Sequence, residues 1–149
     1  MTIPIKDIKM KKIVIASLLP ILLLANEADE LKAGQKVFDS VCSACHVELL
    51  DKNTALKTFK TLKAPPMNEV AQQIKTNIII KDDDDDVHRA VVIAFIKDYI
   101  KHPELAKVMC NPPAVDRFGL MPSQKAILSD EEINNVSTWL YDRYEGVEF

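Results

Sequence analysis

Apolar side chains at helical spacing are the main pattern along the chain. Between residues 29 and 42, small or apolar residues recur every three or four positions, as on the buried face of an amphipathic helix. They are Leu31, Gly34, Val37, Phe38 and Val41. Asp29 and Glu30 stand at the start of this segment, where the positive end of a helix dipole stabilises carboxylates. The pattern predicts a first helix over about residues 29–42.

Two further helical patterns lie in the middle of the chain. Residues 66–75 open with a proline, which suits the first turn of a helix, and continue with apolar residues at helical spacing. Residues 87–100 carry the broadest apolar stripe of the chain. The stripe consists of Val87, Val91, Val92, Phe95, Ile96, Tyr99 and Ile100. Residues 105–109 predict one more turn, which we expect the Asn-Pro-Pro sequence at 111–113 to end.

The last helical pattern begins at Ser129, with Glu132 three positions later. A serine and a glutamate at this spacing form a capping box, in which each side chain binds the other residue's backbone N–H. The helix is expected to turn four residues inward, namely Ile133, Val136, Leu140 and Tyr144. Only residues 77–81 resemble a strand, and no internal repeat is present. The sequence therefore predicts a single all-α domain.

Asp82 to Asp86 form a run of five consecutive carboxylates, which cannot pack into a core. The favoured interpretation is a solvated loop. A docking patch for a basic partner and an adventitious divalent-cation site are the alternatives. A regular calcium loop would need spaced ligands and a turn glycine, and the run has neither.

The first 25 residues have the pattern of a secretory signal peptide. Four lysines and one aspartate precede residue 13, and residues 13–25 carry no charge. As a helix this apolar run would span about 20 Å, which is short of the ~30 Å of a bilayer core. We expect cleavage near Ala25 or Ala28, export to the periplasm and a mature domain of residues 26–149. Retention of the segment as an uncleaved membrane anchor is the alternative.

Export changes what the charge and the cysteines imply. The whole chain carries −3, but residues 1–25 include four lysines and one aspartate, so the mature domain carries −6. Such a domain has no basic excess for nucleic-acid binding. Three cysteines cannot all pair within one chain, and in an oxidising compartment at least one thiol must have another role.

Cys42, Cys45 and His46 form a C-x-x-C-H sequence at the end of the first predicted helix. Two thiols three positions apart can each add to one vinyl group of a haem, and the adjacent histidine then reaches the iron. A zinc site would need a second pair of ligands at a regular spacing, and Cys110, His88 and His102 stand apart in the sequence. A thioredoxin-like site would need a βαβ context. The sequence therefore predicts one covalently attached haem c.

The chain resembles the monohaem class I c-type cytochromes over about residues 29–145. Gly34 and Phe38 stand eight and four residues before Cys42. In that family a small and an aromatic residue at these positions pack against the C-terminal helix, where Trp139 and Leu140 would provide the partner surface. Residues 118–122 and 128–133 are similar to the family's axial-methionine loop and final helix. The resemblance implies the class I cytochrome c fold, with helices packed around the haem.

By the same resemblance, His46 is the proximal iron ligand and Met121 is the distal one. A neutral thioether favours ferrous iron and raises the reduction potential. Gly119 and Pro122 would stiffen the loop around Met121. Met67 and Met109 are the competing methionines.

Three histidine and cysteine questions stay open at this stage. His88 and His102 are expected to be solvated rather than sixth ligands. Cys110 is expected to be a small buried side chain, with an intermolecular disulfide or a thiol near the haem edge as alternatives. In the family a proline carbonyl shortly after the motif accepts the other N–H of the proximal histidine, whereas here the next prolines are Pro65 and Pro66.

The resemblance implies an electron carrier, not an enzyme, that exchanges single electrons with a redox donor and a redox acceptor. From the mature charge of −6 we expect basic docking surfaces on these partners, met by a monomer through small, weak interfaces. No nucleic acid is expected, and a membrane only if the N-terminal segment is retained. One alternative is the haem-bearing subunit of a periplasmic oxidoreductase complex. Another is a gas-binding or peroxidase-like haem protein, which would need an open sixth position.

Overall fold

A computed structural model describes residues 19–81, 84–147 and 149, with side chains from residue 28 onward. These residues form helices and irregular connections without a strand, which confirms the all-α prediction for this part of the chain. The α-helices are α1 (Leu19–Ser40), α2 (Lys52–Thr58), α3 (Met67–Asn77), α4 (Asp85–Lys101), α5 (Pro112–Phe118) and α6 (Asp130–Arg143). Two single 3₁₀ turns cover Cys42–Ala44 and Leu105–Lys107.

Helix α1 already includes Leu19, the first described residue, and so extends at least ten residues before the predicted start at Asp29. Most of the predicted signal peptide, residues 1–18, lies outside the described residues. In residues 19–147 without 82 and 83, no helix has both the length and the apolar character needed to cross a bilayer.

Helices α1 and α6 cross at Gly34, and this crossing forms one side of the core. A Cβ atom on Gly34 would overlap the backbone oxygen of Asn135 and the Cβ of Trp139. The Phe38 ring lies 4.9 Å from the Trp139 ring between centroids, and both side chains are buried. This confirms the prediction that Gly34 and Phe38 pack against Trp139.

Helix α6 is capped and buried as its sequence predicts. Ser129 and Glu132 form a complete capping box. The four residues expected to face inward are all buried: Ile133, Val136, Leu140 and Tyr144. Helix α4 contacts α6 and buries Val92, Ile96 and Ile100, and Arg89 forms two hydrogen bonds of 2.9 and 2.7 Å with Asp142 of α6.

Residues 111–113 begin a helix instead of only ending one, which corrects the expectation for this segment. The Asn111 side chain accepts a hydrogen bond from the backbone N–H of Ala114 at 3.0 Å, and the two prolines occupy the first turn of α5. Prolines stop a preceding helix and start a following one for the same reason, since they have no N–H to donate. Helix α2, which the sequence did not indicate, is capped in the same way by Asp51.

Two other segments differ from the sequence-based expectation. Residues 77–81, the strand candidate, contain the end of α3 and an irregular connection. In the acidic run, Asp84 accepts a hydrogen bond from the backbone N–H of Val87 at 3.0 Å, and Asp85 and Asp86 form the first turn of α4. These three carboxylates are exposed, as expected, but they begin a helix, where the dipole favours negative charge. Residues 82 and 83 lie outside the described residues.

Candidate functional site

The C-x-x-C-H sequence folds into a 3₁₀ turn directly after α1. The backbone N–H groups of Cys45 and His46 both donate to the carbonyl oxygen of Cys42, at 3.1 and 2.9 Å. The Ser43 hydroxyl donates to the Asp39 carbonyl at 2.6 Å and ties the turn to the helix end. As a result Cys42, Cys45 and His46 line the same cavity.

This cavity is lined mainly by apolar side chains from α3, α4, α5, α6 and the segments between them. Its volume is about 230 Å³, several times the ~30 Å³ that one water molecule occupies in the liquid. Voids between packed side chains are rarely larger than one water molecule, so a space of this size is more than a packing defect. The lining includes aromatic and aliphatic residues that pack flat groups well, among them Phe95, Tyr99, Ile74, Leu128 and Leu140.

His46 is oriented by a residue far along the chain. Its Nδ1 lies 2.8 Å from the carbonyl oxygen of Pro65, nineteen positions later. A carbonyl only accepts hydrogen bonds, so Nδ1 carries the hydrogen and Nε2 keeps a free lone pair. Burial of the ring lowers the pKa of His46, although the hydrogen bond to Pro65 opposes this shift. Burial favours the neutral ring, and the hydrogen bond to Pro65 fixes one tautomer. A histidine that binds a metal needs both properties.

Pro65 is held in place by the start of α3. The backbone N–H of Met67 donates to the carbonyl of Val47 at 2.8 Å. The buried Asn68 side chain accepts from the N–H of Leu50 at 3.2 Å and donates to its carbonyl at 2.9 Å. The resemblance implied a proline carbonyl as the partner of His46 and left its identity open, with Pro65 and Pro66 as the next prolines, and the structure assigns this contact to Pro65. No sequence pattern indicated Asn68.

All three methionines considered as distal ligands line the cavity. Met67 is 5 % exposed and its backbone is bonded to Val47, the residue next to His46. Met67 therefore belongs to the same wall as His46. Met121 lies in the loop between α5 and α6, on a separate segment that follows Gly119 at φ 68°.

The Met121 loop is anchored to the end of α4. The Ser123 hydroxyl donates to the carbonyl of Lys101 at 2.6 Å, and the backbone N–H of Gln124 donates to the carbonyl of Ile100 at 3.0 Å. Gly119 adopts a positive φ that other residues adopt only with strain, and it lets the chain leave α5 sharply. The loop thus carries a thioether into the cavity from an element that does not hold His46.

The remaining histidines do not line the cavity. His88 is half-buried, with Nε2 at 3.1 Å from the carbonyls of Lys75 and Ile78 and Nδ1 at 3.0 Å from the Tyr141 hydroxyl. The expectation that His88 is solvated is therefore wrong, because the ring links three helices. His102 ends α4 and lies 3.2 Å from Asp98 near the surface, as expected.

The thiols differ in setting. Burial raises the pKa of Cys42 to about 11, whereas thiols used for disulfide exchange have lowered values. Cys110 lines the cavity and is half-buried, and burial together with the charge of Glu69 raises its pKa. No disulfide forms among the three cysteines. Among the described residues no cluster of three histidine, cysteine or acidic side chains could hold a bare metal ion.

Comparison with known proteins identifies a relative that spans nearly all of the chain. No family model matches the chain, and no solved structure matches it. A protein of Aquifex aeolicus (strain VF5), described as uncharacterized, is 34% identical over 145 residues, which cover 91% of this chain and 90% of that protein. The similarity extends over nearly the full length of both chains.

Proposed function

We infer the function of this chain from its own residues, since it belongs to the same family as the uncharacterized protein of Aquifex aeolicus. We propose that it is an exported monohaem c-type cytochrome of the class I fold, which carries single electrons between redox proteins. The observation that carries the proposal is the placement of His46. Its Nδ1–H is bound to Pro65, and Cys42 and Cys45 line the same apolar cavity. When bound, haem supplies a one-electron iron couple at this site.

Cys42 and Cys45 would hold the cofactor covalently. Each S–H would add across one vinyl group, so that a carbon–sulfur bond forms, the hydrogen goes to the other vinyl carbon and no oxidant is needed. Two thioethers also account for two of the three thiols of an exported protein. The site fits the cofactor because Cys42, Cys45 and His46 line one cavity, and most of the other residues that line it are apolar.

The protein's own contribution is to orient and insulate the site. The Pro65 carbonyl fixes the His46 ring and raises its basicity as a ligand. Met121 is the proposed distal ligand because it comes from a wall separate from the one that holds His46, whereas Met67 is joined to Val47 beside His46. The apolar lining keeps water away and thereby favours the less charged, reduced state.

The helix crossing at Gly34 supports the class I assignment. The family expectation places a small residue and an aromatic of the first helix against the last helix, and here Gly34 and Phe38 pack against Trp139. The motif turn leaves α1 immediately after this crossing. The crossing therefore fixes where the two cysteines stand relative to the core.

The test is spectroscopy of the purified protein together with its mass. Covalent haem should add the mass of one haem that denaturation does not remove, and the reduced protein should show the sharp visible bands of a c-type haem. Cys42→Ser with Cys45→Ser should abolish attachment. A protein expressed with haem-attachment machinery that still carries no covalent haem would refute the proposal.

The distal ligand is tested by three matched variants. The oxidised wild type should show the weak iron–sulfur charge-transfer band of His/Met ligation, and Met121→Ala should lose it while keeping the covalent haem. Met67→Ala and Met109→Ala serve as controls, since both residues also line the cavity. Retention of the band in Met121→Ala and its loss in either control would transfer the assignment to that residue.

A further inference from the structure

The loop that carries Met121 depends on what lies on either side of it. On the C-terminal side, the Ser123 hydroxyl and the Gln124 N–H donate to carbonyls at the end of α4, at 2.6 and 3.0 Å. On the N-terminal side, α5 ends at Phe118, and Gly119 turns the chain with φ 68°. The position of Met121 therefore depends also on what holds the last turn of α5.

Arg117, in this last turn, ties α5 to the connecting segment, which we define as residues 60–65 between α2 and α3. Its Nη2 donates to the carbonyls of Lys60 and Leu62 at 2.8 and 3.0 Å. No other described group donates to either carbonyl. Arg117 therefore joins two parts of the chain that are 55 and 57 residues apart in sequence.

An aromatic pair adds to this contact. The rings of Phe59 and Phe118 lie 5.2 Å apart between centroids at an interplanar angle of 73°, which is the favourable edge-to-face arrangement. Both rings are half-buried. This ring pair and the two hydrogen bonds of Arg117 together form what we call the Arg117 bridge. Phe118 lines the cavity, whereas Phe59 and Arg117 do not.

The other end of the connecting segment is fixed to the side of the site that holds His46. The Pro65 carbonyl accepts the Nδ1–H of His46 at 2.8 Å, and the Lys63 ammonium donates to the carbonyl of Ala44 in the cysteine turn at 3.2 Å. Residues 63–65 and 118–121 all line the cavity. The Arg117 bridge therefore completes a path of contacts along the cavity wall, from the histidine to the helix that leads into the methionine loop.

We propose that Arg117 is a positioning residue that keeps Met121 within reach of the iron, because it holds α5 against the segment that orients His46. The inference rests on the proposed function and concerns how the distal ligand is held. When the bridge is broken, the end of α5 is free to move away, and Met121 leaves the sixth position in a larger fraction of molecules. An added ligand then binds more tightly, since its apparent Kd is inversely proportional to the fraction of molecules in which the position is open.

The test is imidazole binding to the oxidised, haem-loaded protein, followed by loss of the iron–sulfur charge-transfer band. Arg117→Gln should lower the apparent Kd for imidazole about tenfold, since it removes two hydrogen bonds of the closed form. A Kd that stays within about twofold of the wild type would overturn the proposal.

Phe59→Leu breaks the ring pair without changing a residue that lines the cavity. It should lower the apparent Kd for imidazole in the same direction, by about threefold. If Arg117→Gln fails to fold, Phe59→Leu decides the question, and an unchanged Kd in that variant would overturn the proposal.

Arg89→Gln is the matched control. Arg89 also forms two hydrogen bonds, at 2.9 and 2.7 Å to Asp142, and it does not line the cavity. This variant should lower the free energy of unfolding and leave imidazole binding unchanged. Equal effects of Arg89→Gln and Arg117→Gln on imidazole binding would show that any loss of stability opens the site, and would refute a specific role for Arg117.

Hydrogen exchange followed by mass spectrometry gives a second reading, which does not depend on ligand binding. The backbone N–H groups of Gly119 and Gln124 are hydrogen-bonded, so peptides that cover residues 118–124 report opening of the loop. These peptides should exchange faster in Arg117→Gln than in the wild type and in Arg89→Gln.

The two proposals fail in different ways. A protein without covalent haem refutes the proposed function, and a wild type without the charge-transfer band refutes Met121 as its distal ligand. A wild type with covalent haem and the band, in which Arg117→Gln changes neither imidazole binding nor the exchange of residues 118–124, refutes only the role of Arg117.

Discussion

The imidazole of His46 donates its Nδ1–H to the carbonyl oxygen of Pro65 at 2.8 Å. This bond joins the end of the cysteine turn to the segment just before α3, and it determines which ring nitrogen faces away from the backbone. Pro65 lies within reach of His46 because three hydrogen bonds join the loop at residues 47–50 to Met67 and Asn68 at the beginning of α3. The orientation of His46 therefore depends on contacts made several residues away from it.

Asn68→Ala is expected to loosen this loop. The substitution removes both hydrogen bonds to the backbone of Leu50, from a side chain that is 2 % exposed. We expect a loss of about 2 kcal/mol in the free energy of unfolding, since two part-buried backbone groups lose their partners. Urea unfolding of the purified protein measures this loss.

Asn53→Ala on the exposed face of α2 is the matched control and should change the free energy of unfolding by less than about 0.5 kcal/mol. Equal effects of the two substitutions would contradict the role assigned to Asn68.

Gly34→Ala is expected to destabilise the fold, although alanine normally stabilises a helix interior by roughly 1 kcal/mol relative to glycine. The added Cβ would overlap the carbonyl oxygen of Asn135 and the Cβ of Trp139, both parts of α6 that cannot rotate away. Forced separation of two packed helices costs about 1–3 kcal/mol.

The sign of the Gly34→Ala effect is therefore the test, read as a shift in the midpoint of thermal or urea unfolding. Lys32→Ala, at an exposed position on the same helix, controls for the general effect of alanine. A variant that is more stable than the wild type would show that α1 and α6 do not approach as closely as described.

The resemblance to the class I c-type cytochromes implied that Gly34 and Phe38 pack against Trp139, and it implied a proline carbonyl as the partner of His46 without indicating which proline. Gly34, Phe38 and Trp139 are all in regular helices, whose period determines which residues share a face. The Pro65 contact depends on how an irregular loop folds back, and no period governs that. Residues 111–113 illustrate a third case, because prolines at a helix boundary are consistent with both an end and a start.

The local distribution of charge and the surroundings of His88 could not be predicted from the sequence either. The net charge of the mature chain is an average over the sequence, and only the fold brings Arg117 of α5 to the backbone of Lys60. In the same way, His88 was expected to be solvated, because the sequence does not show that the fold places Tyr141 beside it. Both cases concern side chains whose neighbours are distant in sequence.

The capping box of α6 should make stability depend on acid. The hydrogen bonds from Ser129 hold the pKa of Glu132 below its usual 4.5. A group whose folded pKa is lowered contributes stability above its unfolded pKa and loses it as pH falls through the folded pKa. Glu132→Gln should therefore lower Tm relative to the wild type at pH 6 and should lower it progressively less from about pH 4.5 downward.

Calorimetry across this pH range measures the difference in Tm for Glu132→Gln. Glu131→Gln is the control, because that exposed residue lies in the same first turn but outside the capping box. A wild-type advantage over Glu132→Gln that stays constant down to pH 2 would contradict the assignment.

His88→Ala is expected to cost stability without changing the site. The ring is the only described side chain that bonds both the Tyr141 hydroxyl and the carbonyls at the end of α3, so its removal leaves these groups unpaired. We expect a loss of about 1–3 kcal/mol in the free energy of unfolding. His102→Ala, at the surface end of the same helix, should cost less than about 0.5 kcal/mol. Because neither histidine lines the cavity, the visible spectrum of the haem-loaded protein should be the same in both variants and the wild type. If the fully folded His88→Ala protein showed a changed iron–sulfur charge-transfer band, His88 would reach the iron. That result would contradict both the structural role of His88 and the assignment of Met121 as the distal ligand.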